Sequence, residues 1–272
     1  MPELPEVETV RRTLKSLVLG RKINSVDINF NNIIEHPTSL EFKEKIKGQI
    51  IIDIKRKGKW LMFELDDYYM LSHLRMEGKY FLKSNEPILK HEHIIFNLDD
   101  HKTLRYHDTR KFGKIHLIEK DKVYKTKPLN ELGLEPWDKN LTSFYLKEKY
   151  KNKKLPIKTL LLDQSIITGI GNIYADEILF LSHINPLKKG CNLCDSELND
   201  IIKHTKDILN QAIKMGGTTI RSYESSEGVH GRFQNNLLVH NHEKEKCPSC
   251  GEIIVKIKVN GRGTYYCPKC QK

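Results

Sequence analysis

The chain contains 272 residues, of which 38% are hydrophobic, enough to bury the cores of two domains and a small third module, which excludes a disordered chain. Its 46 lysines and arginines outnumber its 35 aspartates and glutamates, giving a formal net charge of +11 that favours a nucleic acid partner over a basic surface without a ligand. Residues 1–4 do not resemble a secretion signal and no apolar run reaches membrane-spanning length, so a cytoplasmic protein without membrane contact is expected.

The N-terminal part of the chain is predicted to be a helix followed by strands. Pro5 suits the first turn of a helix, and apolar residues recur after it at helical spacing: Val7, Val10, Leu14 and Leu17. From residue 23 to residue 118 the apolar runs shorten to strand length, with turns rich in Gly, Asp and Asn between them. The clearest strands are residues 50–54, 60–65, 93–98 and 113–118. This pattern predicts a β-sandwich or a β-barrel.

A helical part follows a linker. Residues 119–140 contain prolines and a glycine that break both periodicities. Helical spacing then resumes, in residues 143–150, 156–162, 173–181 and 198–215. The Gly-rich, polar segment 216–231 is predicted to be either a connector or a mobile lid. The sequence thus predicts three domains, which are residues 1–130, 131–235 and 236–272.

The last domain carries a zinc motif. Two Cys-x-x-Cys pairs, Cys247 with Cys250 and Cys267 with Cys270, have the spacing of a zinc finger. Strands at residues 253–259 and 264–266 are expected to join at Asn260-Gly261, a favoured two-residue turn. The finger either clips the C-terminus in place or contacts nucleic acid. Arg262, which is expected at the hairpin tip with its guanidinium facing outward, favours contact. A further pair, Cys191 and Cys194, has no matching pair nearby and is interpreted as incidental.

The start of the chain offers a nucleophile. Removal of Met1 would make Pro2 the amino terminus, and an α-amino group with a pKa near ~8 is partly unprotonated at neutral pH. Such an amine can attack a sugar carbon and form an iminium intermediate. Glu3 and Glu6 could move protons beside it. The alternative is that Pro2 is simply the second residue and that the acidic residues stabilise the helix dipole.

Three further segments are candidates for nucleic acid contact. Asn172 follows Gly169-Ile170-Gly171 and is predicted to be the N-cap of a helix whose exposed amides suit a phosphate, although an ordinary helix start fits equally well. Two short segments offer groups that could enter a base stack. Residues 73–78 contain the apolar Met76, and residues 104–113 contain the cation Arg110 and the apolar Phe112. Taken alone, Met76 and Phe112 fit core positions better.

Seven motifs, in order along the whole chain, resemble bacterial formamidopyrimidine-DNA glycosylase. They are Pro2-Glu3-Leu4-Pro5-Glu6-Val7-Glu8-Thr9, Arg56-Lys57-Gly58-Lys59, residues 73–78, His91-Glu92-His93, Asp108-Thr109-Arg110-Lys111-Phe112-Gly113, residues 169–177 and the finger that carries Arg262. The resemblance implies a multidomain α+β fold: a β-sandwich with an amphipathic N-terminal helix, a helix-two-turn-helix domain and a β-hairpin zinc finger with one structural Zn²⁺.

The resemblance also implies an activity and residue roles. The family excises oxidised purines such as 8-oxoguanine and formamidopyrimidines from duplex DNA, and then cuts the strand by β,δ-elimination. By position, Pro2 matches the nucleophile that forms the Schiff base, and Glu3 matches the principal acid/base. Lys59 matches the lysine assigned to β-elimination. Arg262 matches the arginine of the zinc finger that is linked to phosphate binding and δ-elimination.

DNA contacts are implied in the same way. The residues that fill the gap left by the everted nucleotide match Met76, Arg110 and Phe112, and phosphate-contacting positions match His91, Lys153, Lys158 and Asn172. Residues 216–231 match the segment that closes over the damaged base. The expected protein is a bacterial, cytoplasmic monomer, associated with the nucleoid through damaged double-stranded DNA.

Two alternatives remain at this point. Endonuclease VIII, of the same superfamily, prefers oxidised pyrimidines, and Leu4 stands where that branch usually has glycine, which argues against it. A non-catalytic DNA-binding protein is disfavoured because it would have no use for the Pro2, Glu3 and Lys59 set. The residues of the lid, including Arg221-Ser222-Tyr223, vary in the family, so the mode of lesion recognition does not follow from the resemblance.

Overall fold

A computed structural model of the protein describes residues 1–218 and 232–272. The chain divides into two compact units, of which the first holds residues 1–130 and 216–231 and the second holds the remainder. Most of the predicted lid, residues 219–231, lies outside the described residues. The three-domain division is finer than these two units and stays a prediction. No helix in the described part of the chain is long and apolar enough to cross a bilayer.

Helix α1 (Leu4–Val18) opens the first unit, as the apolar spacing predicts. Its apolar stripe is buried in the core of this unit, with Val7, Val10 and Leu14 at most 2% exposed. Pro5 lies in the first turn, where its missing N–H costs no intrahelical hydrogen bond. Burial of this stripe fixes the rotation of the helix, and therefore fixes where its N-terminal residues lie.

Nine strands among the described residues of the first unit form two sheets, which confirms the predicted β-sandwich. In chain order they are β1 (Ile23–Ile28), β2 (Ile34–His36), β3 (Asp53–Lys57), β4 (Trp60–Glu64), β5 (Tyr68–His73), β6 (Lys79–Lys83), β7 (Glu92–Leu98), β8 (Thr103–His107) and β9 (Lys114–Glu119). One sheet has the order β1-β7-β8-β6 and the other has the order β2-β9-β5-β4-β3. Helix α2 (Ser39–Ile46) lies between β2 and β3 in the chain, and α1 packs against β3 and β4.

Aromatic side chains from both sheets fill the core between them. Phe63 of β4 faces Tyr80 of β6 with ring centroids 5.6 Å apart, and Tyr80 meets Tyr106 of β8 edge to face at 5.1 Å. Phe96 of β7 packs in the same core, and all four rings are at most 3% exposed. Large, well-packed rings of this kind contribute strongly to burial and hold the two sheets at a fixed separation.

Two loops cross between the sheets at the same end of the sandwich. Residues 74–78 connect β5 to β6, and residues 108–113 connect β8 to β9. The strands that flank the loops are paired, since His73 of β5 lies opposite Lys114 of β9 and β6 pairs with β8 in the other sheet. The two crossings therefore lie side by side.

The second unit is helical and ends in a β-hairpin. Its helices are α3 (Ser143–Tyr150), α4 (Ile157–Leu161), α5 (Asn172–Leu181) and α6 (Asp195–Lys214), and its strands are β10 (Val255–Val259) and β11 (Arg262–Tyr266). Helix α5 is the central element, because most of its residues are buried and it packs against α4, α6 and β11. The hairpin confirms the predicted turn at Asn260-Gly261, although both of its strands differ by two residues from the predicted bounds.

Candidate active site

The start of α1 is buried together with its two preceding residues. Pro2 is buried and Glu3 is 2% exposed, whereas Met1 is 39% exposed. The Glu3 backbone N–H donates to Glu6 Oε2 at 2.9 Å, as part of a capping box between these two residues. The nitrogen of Pro2 is an amide while Met1 is attached, and it becomes a secondary amine once Met1 is removed. The structure thus holds a potential amine and a carboxylate next to each other in a protected position.

Glu6 also holds the beginning of the predicted lid. Its Oε1 accepts the Thr218 backbone N–H at 2.8 Å and the Thr218 hydroxyl at 3.1 Å. A side chain on Gly217 would bring its Cβ to 2.7 Å from the same oxygen, so the close approach needs glycine. Sequence reasoning missed this role of Glu6, because its partner lies 212 residues away. Glu6 therefore ties the chain that enters the lid to the first turn of α1.

Lys59 occupies the turn between β3 and β4, next to the second turn of α1. Gly58 adopts φ +56°, and its carbonyl accepts Arg56 Nη1 at 2.8 Å. The Arg56 guanidinium also reaches Glu8 of α1 at 3.4 Å. Burial alone would raise the pKa of Glu8, but hydrogen bonds from two arginines of α1 and the charge of Arg56 hold it below its usual value. These contacts fix the turn against α1 and hold Lys59, which is 5% exposed, in place.

His73 shows that this part of the unit is electropositive. Burial, and next the charges of Arg75 and Lys59, lower the pKa of His73 to about 3. Its Nδ1 accepts the Arg75 N–H at 3.0 Å, as a neutral ring does. His73 therefore stays uncharged near neutral pH, and the positive potential comes from Lys59 and Arg75.

The three predicted wedge residues lie on the two crossing loops. Met76 on the 74–78 loop is half-buried, whereas Arg110 is exposed and the Phe112 side chain is 50% exposed on the 108–113 loop. The Arg110 guanidinium lies 4.9 Å from the centre of the Phe112 ring. Taken alone, the sequence favoured a core position for Phe112, and its exposure shows that this interpretation was wrong. The first unit thus presents an apolar and cationic edge, which is suited to contact with stacked bases.

His91 lies beside the base of the second loop. Its carbonyl accepts the Asp108 N–H at 3.0 Å, and its half-buried ring is 5.7 Å from the ring of His107. Burial lowers the pKa of His107, so His107 is neutral near neutral pH. The predicted phosphate contact of His91 stays a prediction.

In the second unit, Asn172 and Lys158 meet at the start of α5. The N-cap is Gly171 and not Asn172 as predicted, because the Asn172 side chain instead donates to the Gly263 carbonyl of the hairpin at 2.9 Å. Lys158 is fully buried, and its ammonium donates to the Asn172 carbonyl at 2.8 Å and to Asp176 at 2.6 Å. These two contacts hold Lys158 against the start of α5, and the phosphate contact predicted for Lys158 stays a prediction.

Arg262 and Lys153 are exposed on the same unit. Arg262 is the first residue of β11, directly after a turn in which Asn260 and Gly261 have φ values of +46° and +76°. Asn260 also donates to the Thr159 hydroxyl at 3.1 Å, which holds the hairpin against α4. Lys153 lies in the loop between α3 and α4. Both cations are therefore available to an anionic partner.

The four cysteines of the finger converge on one point. Their sulfur atoms all lie within 4.8 Å of one another, with Cys247 and Cys270 at 3.8 Å and Cys250 and Cys267 at 3.5 Å. Zinc–sulfur bonds of ~2.3 Å in a tetrahedron place sulfur atoms roughly 3.8 Å apart, so the cluster fits zinc.

Three known domain families together match most of the chain. The Formamidopyrimidine-DNA glycosylase N-terminal domain matches residues 1–115, the Formamidopyrimidine-DNA glycosylase H2TH domain matches residues 132–224, and the zinc finger found in FPG and IleRS matches residues 244–272. The chain belongs to the formamidopyrimidine-DNA glycosylase family. The resemblance seen in the sequence motifs is thereby confirmed, and the finger is a site for one structural zinc ion.

Relatives in this family align over the full chain. The formamidopyrimidine-DNA glycosylase of Oceanobacillus iheyensis is 48% identical, over 100% of this chain and 98% of the relative. A Lactococcus lactis FPG mutant with Fapy-dG-containing DNA has a TM-score of 0.94 at 41% identity, and 100% of each chain is covered. Lactococcus lactis Fpg with abasic-site DNA has a TM-score of 0.93 at 41% identity over 99% of both chains. MutM with carbocyclic 8-oxo-G DNA has a TM-score of 0.92 at 41% identity over 100% of both.

The zinc site gives a direct prediction. Replacing Cys250 with Ser should reduce the zinc content from one equivalent to a small fraction, because a hydroxyl is a poor substitute for a thiolate in a tetrahedral sulfur site. Metal analysis of the purified protein measures the zinc, and hydrogen exchange of β10 and β11 should become fast in the same variant. Cys191→Ser is the matched control, because Cys191 is not part of the metal-binding group among residues 1–218 and 232–272. A full zinc equivalent in Cys250→Ser would contradict the assignment.

Proposed function

We propose that this protein excises oxidised purines, 8-oxoguanine and formamidopyrimidines, from duplex DNA and then cuts the strand at the abasic site. The observation that carries the proposal is the buried start of α1, where Pro2 and Glu3 lie beside each other in the same unit as Lys59. The related proteins named above were solved with Fapy-dG, carbocyclic 8-oxo-G and abasic DNA, which supports this class of substrate.

The first step we propose is nucleophilic attack by Pro2. After removal of Met1, the unprotonated proline nitrogen forms a bond to C1′ of the deoxyribose, and the glycosidic bond to the damaged base breaks. The departing base takes up a proton from water. Glu3 takes the proton that the proline nitrogen loses and passes it to the ring oxygen, the bond from C1′ to the ring oxygen breaks, and an iminium links the proline nitrogen to C1′. The buried position of Glu3 keeps its carboxyl group next to the reacting atoms.

Strand cleavage follows from the same intermediate. The iminium acidifies the C2′ hydrogen, and we propose that Lys59 assists its removal, so that the bond from C3′ to the phosphate oxygen breaks. A second elimination breaks the bond from C5′ to its phosphate oxygen. We propose that Arg262 binds phosphate during this second step, because it is exposed on the hairpin and a guanidinium is well suited to phosphate oxygens.

The damaged nucleotide must leave the stack before this chemistry. Met76, Arg110 and Phe112 are proposed to enter the gap, which offsets part of the cost of unstacking. Phosphate contacts are proposed for His91, Lys153 and Asn172. Lys158 is buried and paired with Asp176, so we propose that it acts indirectly, by fixing the start of α5 and with it Asn172.

We further propose a division of labour and a location. Residues 1–130 supply the chemistry, residues 131–235 supply most of the phosphate contacts, and residues 236–272 form the zinc finger. The net charge of +11 suits a protein that is held on DNA. We propose that it works as a monomer in the bacterial cytoplasm, in association with the nucleoid. Residues 216–231 are proposed to cover the everted base.

The substrate class can be tested by trapping. Borohydride should reduce the iminium and leave a covalent protein–DNA adduct on a duplex with 8-oxoguanine, and peptide mapping should locate the adduct on Pro2. A duplex with thymine glycol, in parallel, distinguishes preference for purines from preference for pyrimidines. Faster cutting of thymine glycol would point to an endonuclease VIII-like specificity. If protein that has lost Met1 cuts neither duplex, the enzymatic proposal is wrong and a non-catalytic DNA-binding protein is favoured.

Glu3→Gln tests the acid/base role. The amide keeps an oxygen that can accept the N–H in the capping box, so the start of α1 should remain intact. The amide cannot donate the proton, and base excision should fall by about 100-fold or more. Single-turnover excision measures this loss, and titration of a duplex with an abasic analogue measures affinity, which should change by less than about 3-fold. Equal losses of excision and affinity would show that the carboxylate is structural.

A further inference from the structure

One buried hydroxyl lies beneath both loops that carry the proposed wedge residues. We call residues 74–78 and 108–113 the wedge loops. Tyr106 of β8 extends between them and is fully buried. A Cβ added to Gly78 of the first loop would lie 2.2 Å from the Tyr106 hydroxyl oxygen, and a Cβ added to Gly113 of the second would lie 1.7 Å from it. The oxygen therefore touches the backbone of both loops, at positions where no larger residue fits.

The second loop is also held from below by Asp108. Its carboxylate accepts the backbone N–H of Arg110 at 3.0 Å and that of Gly113 at 2.8 Å. This side chain is buried and lies close to Tyr106 as well, since a Cβ added to Gly113 would lie 3.2 Å from Asp108 Oδ2 and 1.7 Å from the Tyr106 hydroxyl oxygen. Burial, and next the Asp108 charge, raise the pKa of Tyr106 well above its ordinary value. The tyrosine is consequently neutral, and its hydroxyl keeps its proton at any physiological pH.

The polar surroundings of this hydroxyl are sparse. The Asp108 carboxylate lies close enough to contribute to the raised pKa of Tyr106, but the hydroxyl forms no well-aligned hydrogen bond among the described residues. Phenylalanine would fill the same space and lose only this weak contact. The ring itself is well used, because it packs edge to face on Tyr80. What the oxygen adds is contact with Gly78 and Gly113.

We propose that the Tyr106 hydroxyl is a positioning group that sets the spacing of the two wedge loops, so that Met76 on one and Arg110 and Phe112 on the other enter the base stack together. This inference rests on the proposed function. Because the oxygen separates the two backbones, its loss lets the loops move toward each other, and small displacements of inserted groups are costly in catalysis. Tyr106 acts through the loops and does not touch the reacting atoms.

The chain supplies a matched control in Tyr80. This tyrosine is also buried, packs in the same pair of rings and carries a hydroxyl, but its hydroxyl donates to Ser72 at 2.8 Å and is not among the closest neighbours of Gly78 or Gly113. Replacement of either tyrosine with phenylalanine removes one buried oxygen and keeps the ring. The two variants should therefore change different properties of the protein.

The experiment compares Tyr106→Phe and Tyr80→Phe with the wild type in three measurements. Single-turnover excision of 8-oxoguanine should fall by about 10- to 100-fold in Tyr106→Phe and stay within about 2-fold in Tyr80→Phe. Cleavage of a preformed abasic duplex should change less in Tyr106→Phe, because no base has to be unstacked. The melting temperature should fall by about 2–4 °C in Tyr80→Phe, which loses a well-formed hydrogen bond, and should fall by less in Tyr106→Phe, which loses only the weak contact with Asp108.

A binding readout separates this inference from the proposed function. The fluorescence of 2-aminopurine next to a tetrahydrofuran abasic analogue rises when the wedge residues disturb the stack, and it needs no chemistry. A weaker rise with Tyr106→Phe than with Tyr80→Phe supports the inference even if the wild type does not excise 8-oxoguanine. Equal rises overturn it. A parallel loss of melting temperature and of both activities in Tyr106→Phe would also overturn it, since the hydroxyl would then be structural.

Discussion

The Glu6 carboxylate is the constraint on which the proposed catalytic end of the first unit depends. One of its oxygens accepts the Glu3 N–H and the other accepts both donors of Thr218. The first contact fixes the residues that precede α1, and the second fixes the chain as it enters the predicted lid. Since α1 is itself fixed by its buried apolar stripe, Pro2 has a defined place in the fold. The position of the proposed nucleophile is thus fixed by the packing of α1 in the core, even though Pro2 lies at the end of the chain.

Burial separates the basic residues into two groups with different roles. Lys158 is buried against Asp176, and Arg105 is buried against Glu92 at 2.9 Å, so both charges are paired within the protein. Charges buried in this way must be paired, because an isolated buried charge is strongly unfavourable. Arg110 and Arg262 are exposed instead. The net positive charge indicates a polyanionic partner, but burial indicates which cations can reach it.

Local signals in the sequence were sufficient to predict much of the fold. Helix α3 has the predicted bounds of residues 143–150, and the zinc cysteines and the Asn260-Gly261 turn were located from spacing alone. Strands with polar ends were missed, such as β6 (Lys79–Lys83), because one face of a short strand gives too few apolar positions to recognise. The predicted strand at 50–54 is observed as β3, three residues later, since the ladder with β4 starts at Asp53.

The parts of the site that could not be predicted are those built from distant residues. Thr218 is far from Glu6 in sequence, Lys158 meets Asp176 across two helices, and Tyr106 meets Gly78 and Gly113 only because the two loops cross between sheets at one end. Contacts of this kind cannot be predicted from the periodicity of apolar residues or from the spacing of a motif. The resemblance to a family located the candidate residues by position, and the structure adds what holds each of them.

The central claim is that the free nitrogen of Pro2 performs the reaction, and the removal of Met1 tests it most directly. Intact-mass spectrometry gives the fraction of chains without Met1, and active-site titration on a duplex with 8-oxoguanine gives the fraction that reacts. The two fractions should be equal in preparations made with and without aminopeptidase treatment. A preparation that retains Met1 on every chain and still reacts completely would contradict the account.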